Sequence, residues 1–397
     1  MRVAVATWSS RFVGGVEEYL AILLPALLNT GTDVAFWHEL DQPRDRPGIE
    51  IPAGVSLFAA PDLGLQESLR RLRAWAPDVI YVQGIKDLDL EAALLEMAPS
   101  VFFVHSYVGT CISGSKTTTR PGVMPCERHF GAACLAHYFP RGCGGSNPVT
   151  MWQLFGRQSR QLAHMRRYSA ILTHSEHMRG ELHKHGLAAE IVPYPVRAIA
   201  SRPRPSEDGA WRLLYAGRMD FLKGGRFLLA ALPEIAEALD RRIRLVLAGD
   251  GPDRADWEHE AHRVRQAHPQ IGITFTGWLQ QSELTRQLDD ADLLLLPSIW
   301  PEPFGSIGPM AAQHGVPAAA FAAGGIPQWL SDNVSGHLAP ARPPTAAALA
   351  AAVVRCLRTT AHHQELKAGA LRSAERFTME RHLPALMDTL GRVVAAS

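Results

Sequence analysis

The stretch RLLYAGRMDFLKGGRFLLAAL, residues 212–232, decides the fold class. Its first five residues are mostly apolar, which is typical of a buried parallel strand. A loop with three glycines and the cations Arg218 and Lys223 follows, and apolar residues then recur at helical spacing. Because a buried strand, a glycine-rich loop and a helix form the first half of a βαβ unit, we expect a doubly wound α/β domain from residue 211 onward.

The same alternation of strands and helices continues on both sides of this stretch. Toward the N-terminus, strands are predicted at residues 3–7, 33–37, 79–82, 101–105 and 170–173. Apolar residues at helical spacing between positions 16 and 27 predict a helix after the first strand. Toward the C-terminus, strands are predicted at 244–248, 273–276 and 293–296, and helices at 227–239, 345–357 and 378–394.

Two domains follow from this pattern and from a length of 397 residues, which exceeds one ordinary core. We predict Rossmann-like domains over residues 1–195 and 211–375, a Pro- and Ser-rich linker over 196–210, and a helix over 376–397 that packs back across the junction. Ligands of such sheets bind outside the carboxyl ends of the strands, so the expected site is the cleft between the domains.

Composition excludes several classes of protein. Lys plus Arg number 40 and Asp plus Glu number 39, so the chain offers no net field that would attract nucleic acid. No run of about 18 apolar residues predicts a transmembrane segment. The apolar run at the N-terminus is far shorter than the core of a signal peptide, so we expect no secretion, and five cysteines then indicate a reducing compartment. We expect a cytoplasmic protein, peripheral to the membrane at most.

An insertion over residues 106–148 contains Cys111, Cys126, Cys134 and Cys143. Zinc, disulfides and packed free thiols are three alternatives, and the absence of a C-x-x-C pair favours the thiols. Long loops carry function more often than short ones, so this insertion is a candidate acceptor lid. Cys356 lies in a predicted helix and is expected in the core.

The loop after the strand at 212–216 suits a diphosphate. Glycines let the backbone approach an anion, the following helix offers its positive end, and Arg218 and Lys223 neutralise charge. The alternative is a solvated basic loop. Lys223 is one of five lysines in a chain whose cations are mostly arginine, which favours a functional role.

The segment PSIWPEPFGSIGP, residues 297–309, follows the predicted strand at 293–296. Glu302 can accept hydrogen bonds from sugar hydroxyls, and a helix begins close behind it, where backbone N–H groups are open to a ligand. The alternative is an ordinary βα loop.

Taken in order, seven motifs resemble the large retaining glycosyltransferase family four. They are GGVE (14–17), YAGRMDFLKGG (215–225), GDGP (249–252), FTGW (275–278), ADLLLLPSIWPEPFG (291–305), HGVP (314–317) and AAGGIPQWLSDNVSGHLAP (322–340). The resemblance implies the GT-B fold, in which two doubly wound Rossmann-like α/β domains face a central cleft, and a sugar transfer with retention of configuration.

The resemblance also implies roles for individual residues. Arg218 and Lys223 would bind the donor diphosphate, Glu302 the transferred sugar, and His105 the donor sugar near the reacting carbon. The alternative for His105 is a structural histidine at a strand end. Beside these four catalytic residues, the implied donor-binding residues are Gly14, Gly15, Gly217, Asp250, Trp278, Leu279, Phe304, Gly305, Ser306, Ile307 and Met310.

Two departures from the family pattern concern carboxylates. Met310 stands where the family has a second Glu that binds the ribose hydroxyls, and Gln328 replaces the Glu that usually follows GG-x-x. A charge-assisted hydrogen bond of about 1.5–3 kcal/mol is thereby missing. Either the nucleotide is bound differently, or nucleotide-sugar binding is weakened or lost.

We therefore expect a hexosyl transfer from a UDP, GDP, ADP or dTDP sugar to a small-molecule, glycan or lipid-linked acceptor. No cofactor or metal is expected, because no Asp-x-Asp motif is found among the loops and Arg218, Lys223 and a helix N-terminus can stabilise the leaving diphosphate. Two alternatives are a sugar-nucleotide epimerase of the same architecture and a non-catalytic nucleotide-sugar sensor.

Overall fold

The computed structural model describes residues 1–197 and 209–397. The described chain forms two compact units. The first comprises Met1–Ser115, Arg128–Arg197 and Phe377–Ser397, and the second comprises Lys116–Glu127 and residues 209–376. Most of the predicted linker, residues 198–208, lies outside the described residues.

The strands are numbered in chain order. They are β1 (Arg2–Ser9), β2 (Asp33–Leu40), β3 (Ser56–Ala59), β4 (Val79–Val82), β5 (Ser100–Phe103), β6 (Thr117–Thr118), β7 (Met124–Pro125), β8 (Ala170–Thr173), β9 (Glu190–Ile191), β10 (Trp211–Ala216), β11 (Ile243–Ala248), β12 (Ile271–Gly277), β13 (Leu293–Leu296), β14 (Ala318–Phe321) and β15 (Gly336–Ala339).

The helices are α1 (Gly15–Leu28), α2 (Ala60–Leu63), α3 (Leu65–Trp75), α4 (Leu88–Leu95), α5 (Ala133–His137), α6 (Pro148–Met165), α7 (Glu176–His183), α8 (Gly225–Leu239), α9 (Arg254–Ala267), α10 (Gln281–Asp290), α11 (Ile307–Gln313), α12 (Ile326–Trp329), α13 (Ala346–Leu357), α14 (Thr360–Ala374) and α15 (Met379–Ala395).

The first unit contains a parallel sheet with the strand order β3-β2-β1-β4-β5-β8-β9. Central strand β4 is buried at every position, as β-branched and aromatic residues in a parallel sheet covered on both faces should be. Strand order reverses between β1 and β4, so a topological switch point lies beside the ends of these two strands. Helices α1 and α15 pack against each other in this unit.

The second unit repeats this architecture with the order β12-β11-β10-β13-β14-β15, again parallel. Its β13 is four buried leucines, and each fully buried leucine contributes about 1.5–3 kcal/mol. Here the order reverses between β10 and β13. The loops after these strands therefore meet at a second switch point.

The predicted strands at 79–82, 170–173 and 293–296 are confirmed to the residue, and the other predicted strands differ by one to three residues at their ends. The prediction at 101–105 is too long, because β5 ends at Phe103 and His105 lies beyond it. Strands β3, β6, β7, β9, β14 and β15 were not predicted, and neither were helices α2 to α7, α9, α10, α12 and α14. Two of these strands, AAAF and GHLA, are rich in alanine and glycine, which carry little strand propensity.

The cysteine-rich insertion contains the two-stranded antiparallel pair β6–β7 and the short helix α5. Its four cysteines are half-buried. Across residues 1–197 and 209–397, no group of three or more His, Cys, Asp or Glu side chains is arranged to hold a metal ion. Cys356 is fully buried in α13, which confirms its predicted place in the core.

Candidate active site

The loop after β10 is built around Asp220. Its carboxylate accepts hydrogen bonds from the backbone N–H groups of Leu222 (3.0 Å) and Lys223 (3.2 Å), which starts a 3₁₀ turn over Phe221–Lys223. Gly224 then adopts a φ of +74°, and a Cβ atom there would overlap the carbonyl oxygen of Pro297. Only glycine permits this close approach of two loop backbones.

The loop after β13 is hydrogen-bonded onto that turn. The N–H groups of Ile299 and Trp300 both donate to the carbonyl of Leu222, at 2.9 and 3.0 Å. Strands β10 and β13 are neighbours in the sheet, so the two sequence motifs end at one switch point. The side chains that these motifs supply can then meet.

Lys223 and Glu302 do meet. The ammonium nitrogen of Lys223 donates to Glu302 Oε1 at 2.6 Å, and the Lys223 and Glu302 side chains are 22% and 6% exposed. The same ammonium lies 4.8 Å from the centre of the Trp300 ring, within the range of a cation–π contact. A cation and a carboxylate are therefore held side by side in a mostly buried setting.

The backbone of Glu302 is fixed from the other side. Gly325 N–H donates to the Glu302 carbonyl at 2.6 Å, and Gly324, with a φ of +62°, leaves no room for a Cβ atom against that carbonyl. The motif GGIP therefore supports the carboxylate through its main chain, which a side chain at position 324 would prevent.

Arg218 differs from Lys223 in its exposure. Its side chain is 66% exposed and lies 3.6 Å from Asp220 Oδ2. Its carbonyl accepts a 2.6 Å hydrogen bond from the Tyr215 hydroxyl. Burial raises the pKa of the Tyr215 phenol well above its usual value, and the nearby carboxylates Glu302 and Asp220 raise it further, so this hydroxyl keeps its proton. The loop is thus anchored while its guanidinium is open to a ligand.

The remaining predicted donor-binding residues of the second unit fall into two groups. Gly217, Asp250, Trp278 and Leu279 follow the neighbouring strands β10, β11 and β12 and are exposed or half-buried. Phe304, Gly305, Ser306 and Ile307 lead into α11, and Met310 is buried within it. All of them lie beyond the carboxyl ends of their strands, the edge where the sheet binds ligands.

Gln313 lies one helical turn after Met310, at the end of α11. Its Oε1 atom is buried and has no hydrogen-bond partner among the described residues. A buried amide oxygen without a donor costs free energy.

In the first unit, Gly14 and Gly15 begin α1. The Gly14 N–H donates to the buried Glu17 carboxylate at 2.8 Å, and the Gly15 carbonyl accepts from Tyr194 at 2.6 Å. His105 follows β5 and bonds Gln83 through Nε2 at 2.8 Å. Burial lowers the pKa of His105 to about 3, so its imidazole is neutral at physiological pH.

Two Asp-x-Asp sequences do occur, outside the motif loops. Asp87 caps α4 by accepting from the N–H of Asp89 at 2.8 Å. Asp290 and Asp292 lie at the amino end of β13, where both approach the guanidinium of Arg212 at 3.9 and 3.5 Å. Within the second sheet, Asp290 and Asp292 therefore lie at the edge opposite to the one where Lys223 and Glu302 meet.

Two residues of the site were missed in the sequence. Trp300 lies under the Lys223 ammonium, and Trp329 donates from its indole to the Phe304 carbonyl at 2.7 Å while its ring covers Gly308. Both tryptophans stand inside the motifs SIWPEP and GGIPQW. Large aromatic residues inside two glycine- and proline-rich loops were the signal that could have identified them.

Part of this chain is similar in sequence to known proteins. Residues 210–359 match the family described as Glycosyl transferases group 1. The chain is 34% identical over 193 residues to the 2-deoxystreptamine glucosyltransferase of Streptomyces kanamyceticus. The aligned region covers 48% of this chain and 47% of that protein. The chain thus spans about half the length of this curated relative.

Solved structures match over almost the whole chain. Sucrose-phosphate synthase from Thermosynechococcus elongatus superposes with a TM-score of 0.70 at 18% identity and covers all of both chains. Anabaena Alr3699/HepE, in complex with UDP and glucose, superposes with a TM-score of 0.66 at 16% identity, over 99% of this chain and 100% of that one. The chain has the GT-B fold, as predicted.

No helix among the described residues is both long enough and apolar enough to cross a membrane.

Proposed function

We propose that this protein is a glycosyltransferase that moves a sugar from a nucleotide-diphosphate donor to an acceptor hydroxyl. The observation that carries the proposal is the Lys223–Glu302 pair at the switch point of the second sheet. The match of residues 210–359 to a glycosyltransferase family supports it, because both residues lie inside the matched region.

The two residues of the pair carry opposite charges and are assigned to different parts of the donor, the diphosphate and the sugar. Arg218 and Lys223 lie on a loop just before α8, whose N-terminus adds about half a positive charge, and together they stabilise a diphosphate as it leaves. Glu302 carries no charge suited to phosphate, so it takes hydroxyls of the transferred sugar. The Lys223 ammonium then lies next to both the diphosphate and the sugar, close to the bond between them that breaks.

The reaction proceeds with retention and without a metal ion. The acceptor hydroxyl attacks from the side on which the nucleotide leaves, and the leaving phosphate takes its proton. Two cations near the phosphates supply the charge stabilisation that a divalent ion supplies elsewhere. UDP, which the Anabaena structure of the same fold contains, is the first nucleotide to test, followed by GDP, ADP and dTDP.

A binding and product test decides the function. Thermal shifts with the four nucleoside diphosphates identify the nucleotide, because a ligand bound by the folded state alone raises the apparent stability. The matching nucleotide sugar is then incubated with small-molecule, glycan and lipid-linked acceptors, and glycosylated product is measured by mass spectrometry. We expect glycosylated product with the wild type and none with a Lys223→Ala variant. Tight nucleotide-sugar binding with no product from any acceptor would identify a sensor instead.

A further inference from the structure

Two histidines of the second unit face each other at the amino edge of its sheet. His337 is the second residue of β15, and His362 lies in the first turn of α14. Their Nε2 atoms are 3.0 Å apart. The next residue of α14, His363, bonds the carbonyl of Asp292 at 2.8 Å, directly before β13 begins. The pair therefore lies at the edge opposite to the proposed active site.

Each ring of the pair has a carboxylate at its other nitrogen. His337 Nδ1 lies 3.2 Å from Asp332 Oδ1, and His362 Nδ1 lies 3.4 Å from Glu365 Oε2. A carboxylate oxygen only accepts, so each Nδ1 must carry a proton to make its bond. Metal-binding histidines are commonly held in this way, with one nitrogen donating to a carboxylate and the other left for the ion.

The contacts of the pair need one proton more than two neutral rings carry. Two protons are used at Asp332 and Glu365, and a hydrogen bond between the Nε2 atoms needs a third. Without it, two lone pairs face each other across 3.0 Å. A third proton would complete the bonds by charging one ring. A metal ion would complete them with both rings neutral, because it accepts both lone pairs at once.

We propose that His337 and His362 form a binding site for a divalent transition-metal ion such as Zn²⁺, held between their two Nε2 atoms. Nitrogen ligands lie about 2.0–2.1 Å from Zn²⁺, so two of them on a tetrahedral ion are about 3.4 Å apart. The Nε2 atoms then have to separate by only about 0.4 Å. His362 can make that move, because its side chain is 26% exposed whereas His337 is buried.

The charges around the pair suit a cation. Asp332 and Glu365 supply two negative charges, and the Arg355 guanidinium, 3.7 Å from Asp332 Oδ1, supplies one positive charge. An ion bound here would tie the edge strand β15 to α14. It would therefore stabilise the second unit and take no part in the sugar transfer.

Water completes the coordination of the ion. Within the part of the chain that the structure describes, no third His, Cys, Asp or Glu joins the pair in a larger metal-binding group. The exposed side of His362 gives water access to the remaining positions. Imidazole nitrogen suits zinc, copper and nickel, whereas Mg²⁺ prefers oxygen ligands. The site should therefore discriminate between these two kinds of ion.

Calorimetric titration with Zn²⁺ tests the site. We expect the wild type to bind one Zn²⁺ that His362→Gln and His337→Gln each bind at least about tenfold more weakly. His362→Gln is the decisive variant, since this partly exposed side chain can be replaced without opening the core. His262→Gln, which removes an exposed imidazole from α9 of the same unit, is the matched control and should bind as the wild type does. Mg²⁺ should not compete.

No Zn²⁺ binding by the wild type would overturn the proposal. Equal affinities in the wild type and in both variants of the pair would overturn it as well, because the ion would then be bound elsewhere, for example by the cysteines.

Thermal unfolding gives the second readout. Zn²⁺ at ten times its dissociation constant should raise the Tm of the wild type by about 3–6 °C, and a chelator should reverse the rise. His362→Gln should show less than a third of it at the same concentration. A wild type that binds Zn²⁺ without a rise in Tm would contradict binding to the folded pair. Neither readout needs a sugar donor, so the metal site and the proposed function fail independently.

Discussion

Lys223 Nζ donates a 2.6 Å hydrogen bond to Glu302 Oε1 across 79 positions of sequence. The cation assigned to the diphosphate and the carboxylate assigned to the sugar are thus one ion pair. In a mostly buried setting each partner offsets the desolvation of the other. Any substitution of either residue therefore changes both the chemistry and the local charge balance, and the experiments below are designed to separate the two.

Lys223→Ala and Arg218→Ala should each lower kcat/KM by about 10²–10³, because both remove charge stabilisation that grows as the diphosphate leaves. Arg218→Ala should leave the free energy of unfolding within about 0.5 kcal/mol of the wild type, since its side chain is exposed. Lys223→Ala should also cost about 1–3 kcal/mol of stability by leaving Glu302 unpaired. Steady-state kinetics and urea denaturation measure both quantities.

Arg226→Ala is the matched control for these two variants. Arg226 lies in the first turn of α8, three positions after Lys223, and its guanidinium packs over the rings of Phe221 and Phe227, at 4.9 and 4.6 Å. It should keep near wild-type kcat/KM. Near wild-type turnover in Lys223→Ala or Arg218→Ala would refute the phosphate assignment.

Glu302→Gln should weaken binding of the nucleotide sugar more than binding of the bare nucleoside diphosphate. The amide keeps the size of the side chain but loses the charge that sugar hydroxyls prefer as an acceptor, a difference of about 1.5–3 kcal/mol per charged bond. Calorimetric titration with both ligands separates the two affinities. Equal losses for both would place Glu302 at the phosphates instead of the sugar.

Met310→Glu restores the carboxylate that the family carries at this position of α11. It should tighten binding of UDP or ADP by about 1–3 kcal/mol through the ribose diol and leave dTDP, which lacks one hydroxyl, little changed. Calorimetry with the three nucleotides is the measurement. No gain for any ribonucleotide would mean that position 310 does not face the ribose, and the alignment of α11 with the family motif would then be abandoned.

The buried histidines of the first unit make stability depend on pH. The pKa of His382 falls from 6.5 to about 4 on folding, so below pH 6.5 the unfolded chain binds a proton that the folded protein does not. The free energy of unfolding should fall as the pH drops from 6.5 toward 4, by about 1.4 kcal/mol per pH unit for this group. Above pH 6.5, His382 should not change the free energy of unfolding.

Urea denaturation across this pH range tests the assignment. His382→Gln has no titrating ring, so its stability should decline less steeply than that of the wild type over the same window. Parallel curves for the two proteins would show that His382 is already accessible to protons in the folded state.

Sequence patterns identified the buried strands that consist of large apolar residues. Runs such as VIYV and LLLL are unambiguous because nothing polar interrupts them. The alanine-rich strand β14 and the polar helix α14 were missed, since alanine favours helices and α14 has little amphipathic periodicity. Tertiary pairing, which local sequence does not encode, decides such segments.

The site was predicted as two separate motifs with two separate roles. Each loop was identified from its glycines and charges, but the contact between the two loops was not. That contact consists of main-chain hydrogen bonds from Ile299 and Trp300 to Leu222, which almost any residue type could form. The contact of Tyr19 with His382 spans 363 positions and leaves no trace in either local pattern. Long-range pairs of this kind require the fold.

Transfer of a labelled sugar tests the central claim most directly. The donor sugar, carrying ¹³C at its anomeric carbon, is incubated with enzyme and acceptor, and the label is followed by NMR. We predict that the label moves into a new glycoside with the anomeric configuration of the donor, and that Lys223→Ala abolishes this signal. Label that stays in the donor or appears only as free sugar, with every acceptor class tested, would contradict glycosyl transfer, and an inverted glycoside would contradict retention.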